Sequence, residues 1–335
     1  MTLMFGNRFL KLCIVGLLLA WPAAAVDADA INIDWVTVGD PGNTADTQRD
    51  GYGAVGYSYN IGKYEVTAGE YTAFLNAVAQ TDTYGLYNTG MASASWGCEI
   101  SRSGSSGSYT YTAGIAGLPV SYVSYYDSLR FCNWLHNGQP TGVQDSTTTE
   151  GGAYTFTDLT TVSERNSGAL VFLPSEDEWY KAAYYNGGGL DAGYNLYPTG
   201  VDSPEPGADL SEQTNPGNNV NYKDGVASYP INSLHYTTLV GEFELSASPY
   251  GTFDQGGNVW ERNEALAPGS SRGLRGGSFG DVASWLRASS RYSYAPANEN
   301  DFIGFRVASV PEPSTAALSI VALLCGPWWR RRRAR

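Results

Sequence analysis

The stretch Gly273–Ala308, GLRGGSFGDVASWLRASSRYSYAPANENDFIGFRVA, decides how the chain reads. It contains two short β-like runs separated by a polar loop. The first, Leu274–Gly280, places Gly276 and Gly277 where a backbone must approach closely or take a positive φ. The second, Phe302–Ala308, mixes β-branched and aromatic residues, with Gly304 expected at a bulge. Arg287, Arg291 and a loop of Asn, Pro and Asp lie between them. Taken alone, the stretch reads as the closing strands of a mixed domain.

Upstream, one grammar recurs three times. Thr67 and Glu70 have the capping-box spacing and precede Tyr71, Phe74, Leu75 and Val78 on one helical face. Ser124 and Asp127 open a second helix through Leu129, Cys132 and Leu135, closed by Asn137 and Gly138. Ser175 and Glu178 open a third through Trp179, Ala182 and Ala183, stopped by Gly187. Asp34–Gly39 and Val55–Tyr64 alternate as strands do, with a loop between them. Three capped helices among short strands predict an α+β domain. After Gly187 regular patterning vanishes for about 65 residues, to Thr252, in a stretch rich in Gly, Pro, Asn and Tyr. Its tyrosines and scattered aliphatics argue against disorder, and bound hard cations are one means of fixing such backbone.

The two ends stand apart from the domain. Arg8 and Lys11 precede the apolar run Leu12–Trp21, and Ala23 and Ala25 occupy small-residue positions before a cleavage expected after Ala25. That run is short of the ~20 residues a spanning helix needs. At the other end an apolar segment, Ala316–Trp329, is followed by four consecutive arginines, an order that keeps the tail cytoplasmic and predicts that everything before Val310 is exported. The expected organisation is a signal peptide at 1–25, a domain at 26–309 and a sorting and membrane segment at 310–335.

The central domain carries 13 Lys and Arg against 32 Asp and Glu, a formal charge of −19. Nucleic acid is excluded as an expected partner, because phosphate binding needs clustered cations. Calcium or cationic surfaces suit it better. Cys98 and Cys132 are the cysteines of this domain, and spacing leaves open whether they pair. With His136 and His235 its only histidines, a His-rich zinc or iron site is not expected.

The segments IDWVTVGDPG, IGKYEVTAGEYTAFLNA, LPVSYVSYYDSLRFCNWL, FLPSEDEWYKAAY, YGTFDQGGNVWER and RGGSF with IGFRVA occur in one order. In that order they resemble the formylglycine-generating enzyme, or sulfatase-modifying factor, family over roughly residues 34–308. The tail, with Pro311, Glu312 and Pro313, resembles a PEP-CTERM sorting signal, which implies recognition and cleavage by an exosortase, after signal peptidase has acted at the N-terminus.

The family resemblance implies one α+β domain, a sulfatase-modifying-factor variant of the C-type lectin fold with little regular secondary structure, stabilised by calcium. It maps one calcium site onto Asp254, Gly257, Val259 and Glu261, and the start of a second onto Asn219 and Val220. Oxygen donors of this kind suit calcium, although the EF-hand spacing is absent. The oxidases of the family bind copper through two cysteines shortly after the GGS motif. Here Asp281 stands at the first of those positions and Trp285 or Leu286 near the second, so no soft-ligand copper site is expected. The reading is an exported, noncatalytic, calcium-binding surface protein associated with exopolysaccharide. Ser278, Asp281, Arg287 and Arg291 are its candidate ligand pocket, and Tyr292 and Tyr294 offer flat faces to sugar. The alternative is an enzyme of the same family with other chemistry, built on Ser278, Asp281 or Arg291.

Overall fold

In the computed structural model, residues 30–187, 193–200, 220–223 and 235–311 are described. The expected signal peptide, Asn219, Glu312, Pro313 and the apolar C-terminal segment lie outside them. Everything below belongs to the unit that begins at Ile31. Among the described residues no helix is long and apolar enough to cross a membrane.

The three capping boxes all form. Thr67 Oγ1 accepts from Glu70 N (3.2 Å) and Glu70 Oε2 accepts from Thr67 N (2.7 Å), starting α1 (Ala68–Val78). Ser124 and Asp127 do the same for α2 (Tyr125–His136), which ends at Asn137 with Gly138 at φ 81°. Ser175 and Glu178 start α3 (Glu176–Tyr184), which stops three residues before the expected Gly187. Reciprocal capping satisfies two otherwise orphaned donors at each helix start. The buried faces of α1 and α2 meet through Phe74, Phe131 and Trp134. Phe74 lies 5.3 Å from both of the other rings, and Phe131 stands edge-on to Phe305 at 5.4 Å. Truncating a ring such as Phe131 to Ala would cost about 3–5 kcal/mol.

Among the described residues, ten short strands complete a mixed α and β domain with little regular secondary structure. One sheet runs β1 (Trp35–Val38), β2 (Tyr59–Gly62), β10 (Ala308–Ser309), β5 (Val171–Phe172), antiparallel throughout. A hairpin pairs β3 (Ile100–Ser103) with β4 (Thr110–Ala113). The third sheet runs β8 (Tyr292–Tyr294), β7 (Arg272–Arg275), β6 (Trp260–Leu266), β9 (Ile303–Phe305), with β6 and β9 parallel.

Several expectations need correction. The run Leu274–Gly280 leaves the sheet at Arg275, because Gly276 and Gly277 take φ of 99° and 75° and turn the chain. Phe302–Ala308 is two strands in different sheets, parted at Arg306 and Val307. Gly304 is no bulge. It sits in unbroken register opposite Glu261, and a Cβ there would come 2.6 Å from the Val120 carbonyl oxygen, so the requirement is close backbone approach. The irregularity lies instead between β6 and β7, from Arg262 to Leu266. Val55–Tyr64 contributes only its last part as β2. Cys98 and Cys132 are free and buried, Cys132 on the core face of α2.

Asp127 couples this architecture to pH. Burial first, then the nearby Glu299, push its carboxyl up to about 7 against the restraint of the Ser124 cap. Unfolded, the group titrates near ~4. The folded state therefore binds the proton more tightly, and this contribution to stability is present below ~4 and lost as pH rises through about 7. Melting temperature should be higher at about pH 5.5 than at about pH 8. Asp127→Asn, which keeps an acceptor for the Ser124 N–H, should narrow that gap in a melt series. Parallel pH curves for the two proteins would rule out Asp127 as the cause.

Candidate functional site

The residues carried into a calcium site surround a buried ion pair. Glu261 lies on β6 and Arg306 follows β9. Arg306 Nε donates to Glu261 Oε2 (2.5 Å) and Nη2 to Oε1 (2.6 Å), with both side chains fully buried. Trp179 Nε1, from α3, donates to Glu261 Oε2 at 2.7 Å. The remaining guanidinium donors reach the carbonyls of Gly62 (3.0 Å) and Phe253 (2.8 Å). Both Glu261 oxygens thus accept hydrogen bonds, two on Oε2 and one on Oε1.

Beside this pair lie two more carboxylates. Asp254 takes φ 59° and accepts from Gly241 N at 2.6 Å. Burial, with a push from Glu261 against the pull of Gly241 and Arg306, raises its carboxyl to about 6. Burial and the charges of Asp254 and Glu261 hold Glu65 well above the usual carboxylate range. Glu65 Oε1 accepts from Asn258 Nδ2, while Oε2 has no partner among the described residues.

The two carboxylates of the four-residue calcium set therefore have different partners. Asp254 and the orphaned Glu65 oxygen suit a cation, whereas Glu261 already has one in Arg306. Among the described residues no group of three or more His, Cys, Asp or Glu is disposed to hold a metal. Val220 is buried beside Tyr197, Tyr222 and Leu286, and its proposed neighbour Asn219 lies outside the described residues.

The second cluster forms where the glycine turn delivers Ser278 and Asp281. Asp281 Oδ2 accepts from Ser278 N (3.0 Å), Ser278 Oγ (2.6 Å) and Trp260 Nε1 (2.8 Å). Above it opens a cavity of about 310 Å³ lined by Trp260, Ser278, Gly280, Asp281, Trp285, Tyr292, Tyr294 and Phe302. Trp260 is its buried floor. Trp285 and Tyr292 stand almost perpendicular, 87° apart with centroids at 5.9 Å, and remain 37% and 41% exposed. Trp260 lies 5.9 Å from Trp285 and 5.8 Å from Tyr292.

Of the four candidate pocket residues, Ser278 and Asp281 come together here. Arg287 and Arg291 do not line the cavity. Arg287 Nε donates to the Tyr197 hydroxyl (2.8 Å), and Arg291 Nε donates to Glu176 (2.7 Å), which Arg275 also engages. Tyr292 and Tyr294 are present as expected, but Trp260 and Phe302 were missed. Both sit in segments read as calcium loop or core strand, and Trp260–Leu266 carries no apolar alternation, its first four residues being buried, so no local signal marked Trp260 as a lining residue.

No thiolate serves this cavity. Cys98 lies elsewhere with its thiol pushed up to about 11 by burial, and burial raises Cys132 further above the ordinary thiol value. Near the second expected cysteine position, Trp285 faces the cavity and Leu286 is buried.

The pattern defining the sulfatase-modifying factor enzyme 1-like domain matches residues 43–310, well over half of the chain. The chain belongs to that family. Among solved structures this family member is similar to CarF, with 21% identity over 84% of this chain and 99% of that one and a TM-score of 0.49. It is also similar to variable protein 1 of Treponema denticola, with 18% identity, 84% and 96% coverage and a TM-score of 0.49. PvdO from Pseudomonas aeruginosa gives 22% identity, 83% and 92% coverage and a TM-score of 0.44. No curated protein matches the chain.

The division of roles between Glu261 and Asp254 is testable. Glu261→Gln leaves the Arg306 charge buried without its counter-charge and should cost about 3–5 kcal/mol in denaturant unfolding. That loss should be the same with calcium and with chelator. A loss that disappears in chelator would make Glu261 a calcium ligand after all.

Proposed function

We propose that this family member is an exported, noncatalytic binding protein that holds a saccharide group of an exopolysaccharide against Trp285 and Tyr292. The observation that carries the reading is the aromatic cavity itself. Two half-exposed rings meet at a right angle over a buried indole, and a hydrogen-bonding carboxylate and hydroxyl sit at the base. Such a combination of apolar walls and a few polar groups suits a small ligand, and about 310 Å³ lies at the low end of the usual range, enough for one ring-sized group. Flat aromatic faces pack well on the C–H faces of sugars.

The noncatalytic part of the proposal rests on residue chemistry. The carboxylate facing the Ser278 hydroxyl is Asp281, and its Oδ2 is shared with the Ser278 backbone N–H and the Trp260 indole, with no histidine between carboxylate and hydroxyl as a serine nucleophile's base. Neither histidine lines the cavity. Calcium enters as a structural ion with Asp254 as its carboxylate donor, leaving Glu261 to Arg306. Export through signal peptidase, followed by sorting through Pro311–Pro313 and an exosortase to the cell surface, completes the proposal on the strength of the two terminal sequence patterns.

Three measurements test this reading. Trp285→Ala should lower affinity for exopolysaccharide at least roughly tenfold, since an anchoring aromatic supplies on the order of 1.4 kcal/mol or more. Equal binding by the variant would remove the cavity from the reading. The full-length protein should leave a cysteine-containing sulfatase-motif peptide unchanged in mass. Formylglycine formation dependent on copper and oxygen would overturn the noncatalytic assignment. A reporter joined before Val310 should appear outside the inner membrane, and cytoplasmic recovery of it would refute export.

A further inference from the structure

The chemistry of the cavity also bears on which saccharide it holds, an inference that rests on the saccharide reading above. Among the described residues the charged group on its wall is Asp281, and no Lys or Arg side chain lines it. The Asp281 carboxylate takes its three hydrogen bonds from neutral donors, a backbone N–H, a hydroxyl and an indole N–H, all on Oδ2. No salt bridge to Asp281 exists among the described residues, and Oδ1 has no hydrogen-bond partner among them. The two nearest arginines in the sequence are engaged elsewhere, Arg287 at Tyr197 and Arg291 at Glu176. An uncompensated carboxylate thus sits at the base of a cavity whose walls are five aromatic residues, Trp260, Trp285, Tyr292, Tyr294 and Phe302.

Each component of this arrangement favours positive charge. Aromatic faces carry negative quadrupole potential and attract ammonium groups. A carboxylate oxygen with free lone pairs accepts charge-assisted hydrogen bonds from them. The surrounding domain, at −19, adds a field of the same sign that draws cations and repels anions. A uronate or sulfated sugar would bring a second negative charge to Asp281 with no Lys or Arg among the described lining residues; Lys223, whose backbone N–H donates to the Asp281 carbonyl at 2.8 Å, is not one of them. A neutral hexose would use the aromatic faces and leave Oδ1 without a charged partner.

We propose that the saccharide recognised in this cavity is an amino sugar with a free, protonated amine, its ring lying in the corner between Trp285 and Tyr292 and its ammonium on Asp281 Oδ1. The ligand is then a partly or fully deacetylated glycan rather than an acidic one.

The experiment is calorimetric titration of the full-length protein at neutral pH with four probes: a glucosamine oligomer, its fully N-acetylated counterpart, a galacturonate oligomer of the same length, and tetramethylammonium. The glucosamine oligomer should bind at least roughly tenfold tighter than each of the others. Asp281→Asn retains an acceptor for Ser278 and Trp260 and should bring the glucosamine affinity down to that of the N-acetylated oligomer. Should that variant fold poorly, the exposed Tyr292→Ala serves instead and should weaken glucosamine binding while the melting temperature holds. Equal or tighter binding of the N-acetylated or galacturonate oligomer would overturn the amino-sugar assignment while keeping the saccharide reading. Tetramethylammonium binding as tightly as the glucosamine oligomer would overturn the sugar part of the assignment. No binding of any oligomer would overturn the saccharide reading as well.

Discussion

A buried arginine must satisfy five donors and one charge, and Arg306 does so by drawing together most of the domain. Its counter-charge is Glu261 on β6, and that carboxylate also takes the indole N–H of Trp179 from α3. Its other donors close on the end of β2 at Gly62 and on the loop carbonyl of Phe253. Taking two ions out of water costs several kcal/mol each, so the arrangement persists only because every partner is in place. The consequence for topology is direct. At Arg306 the chain passes from one sheet to the other, and its side chain bridges Glu261 on β6 and the Gly62 carbonyl at the end of β2. β9 therefore ends at Phe305 and β10 begins at Ala308 in the other sheet.

This explains which parts of the fold were legible in the sequence. Helix starts depend on residues three apart, and Thr67, Ser124 and Ser175 announced their helices because the determining hydrogen bonds are local. The split between β9 and β10 depends on Glu261, forty-five residues away along the chain, and no local pattern in IGFRVA carries that information. Gly304 is similar. Its reason is the Val120 carbonyl packed against it, a long-range contact that in sequence looks the same as a bulge glycine. The hairpin of β3 and β4 was missed although Tyr109–Ala113 alternates tyrosine with threonine as a strand does; its partner Ile100–Ser103 carries a single apolar residue.

The candidate site was half legible for the same reason. Ser278 and Asp281 are brought together by a turn three residues long, so their partnership is local. Arg287 and Arg291 are near them in sequence but belong to other neighbours, because the chain from Ala283 onward passes along Tyr197 and then Glu176. Trp260 comes from the opposite direction, across the β6–β7 pair, and only the folded sheet places its indole N–H on Asp281.

Asp281 has a local structural role at a position where the family resemblance implies a cysteine. At the position where the resemblance implies a copper-binding cysteine, a carboxylate accepts from Ser278 and from the Trp260 indole, and so fixes the floor of the cavity. A thiolate is a weak acceptor with longer contacts and would hold neither donor as firmly. Near the second expected cysteine position, Trp285 contributes a wall of the cavity with its ring part-exposed, while Leu286 is buried, and neither offers the soft ligand a copper site requires. A single carboxylate can then both order the floor through one oxygen and present the other to a ligand.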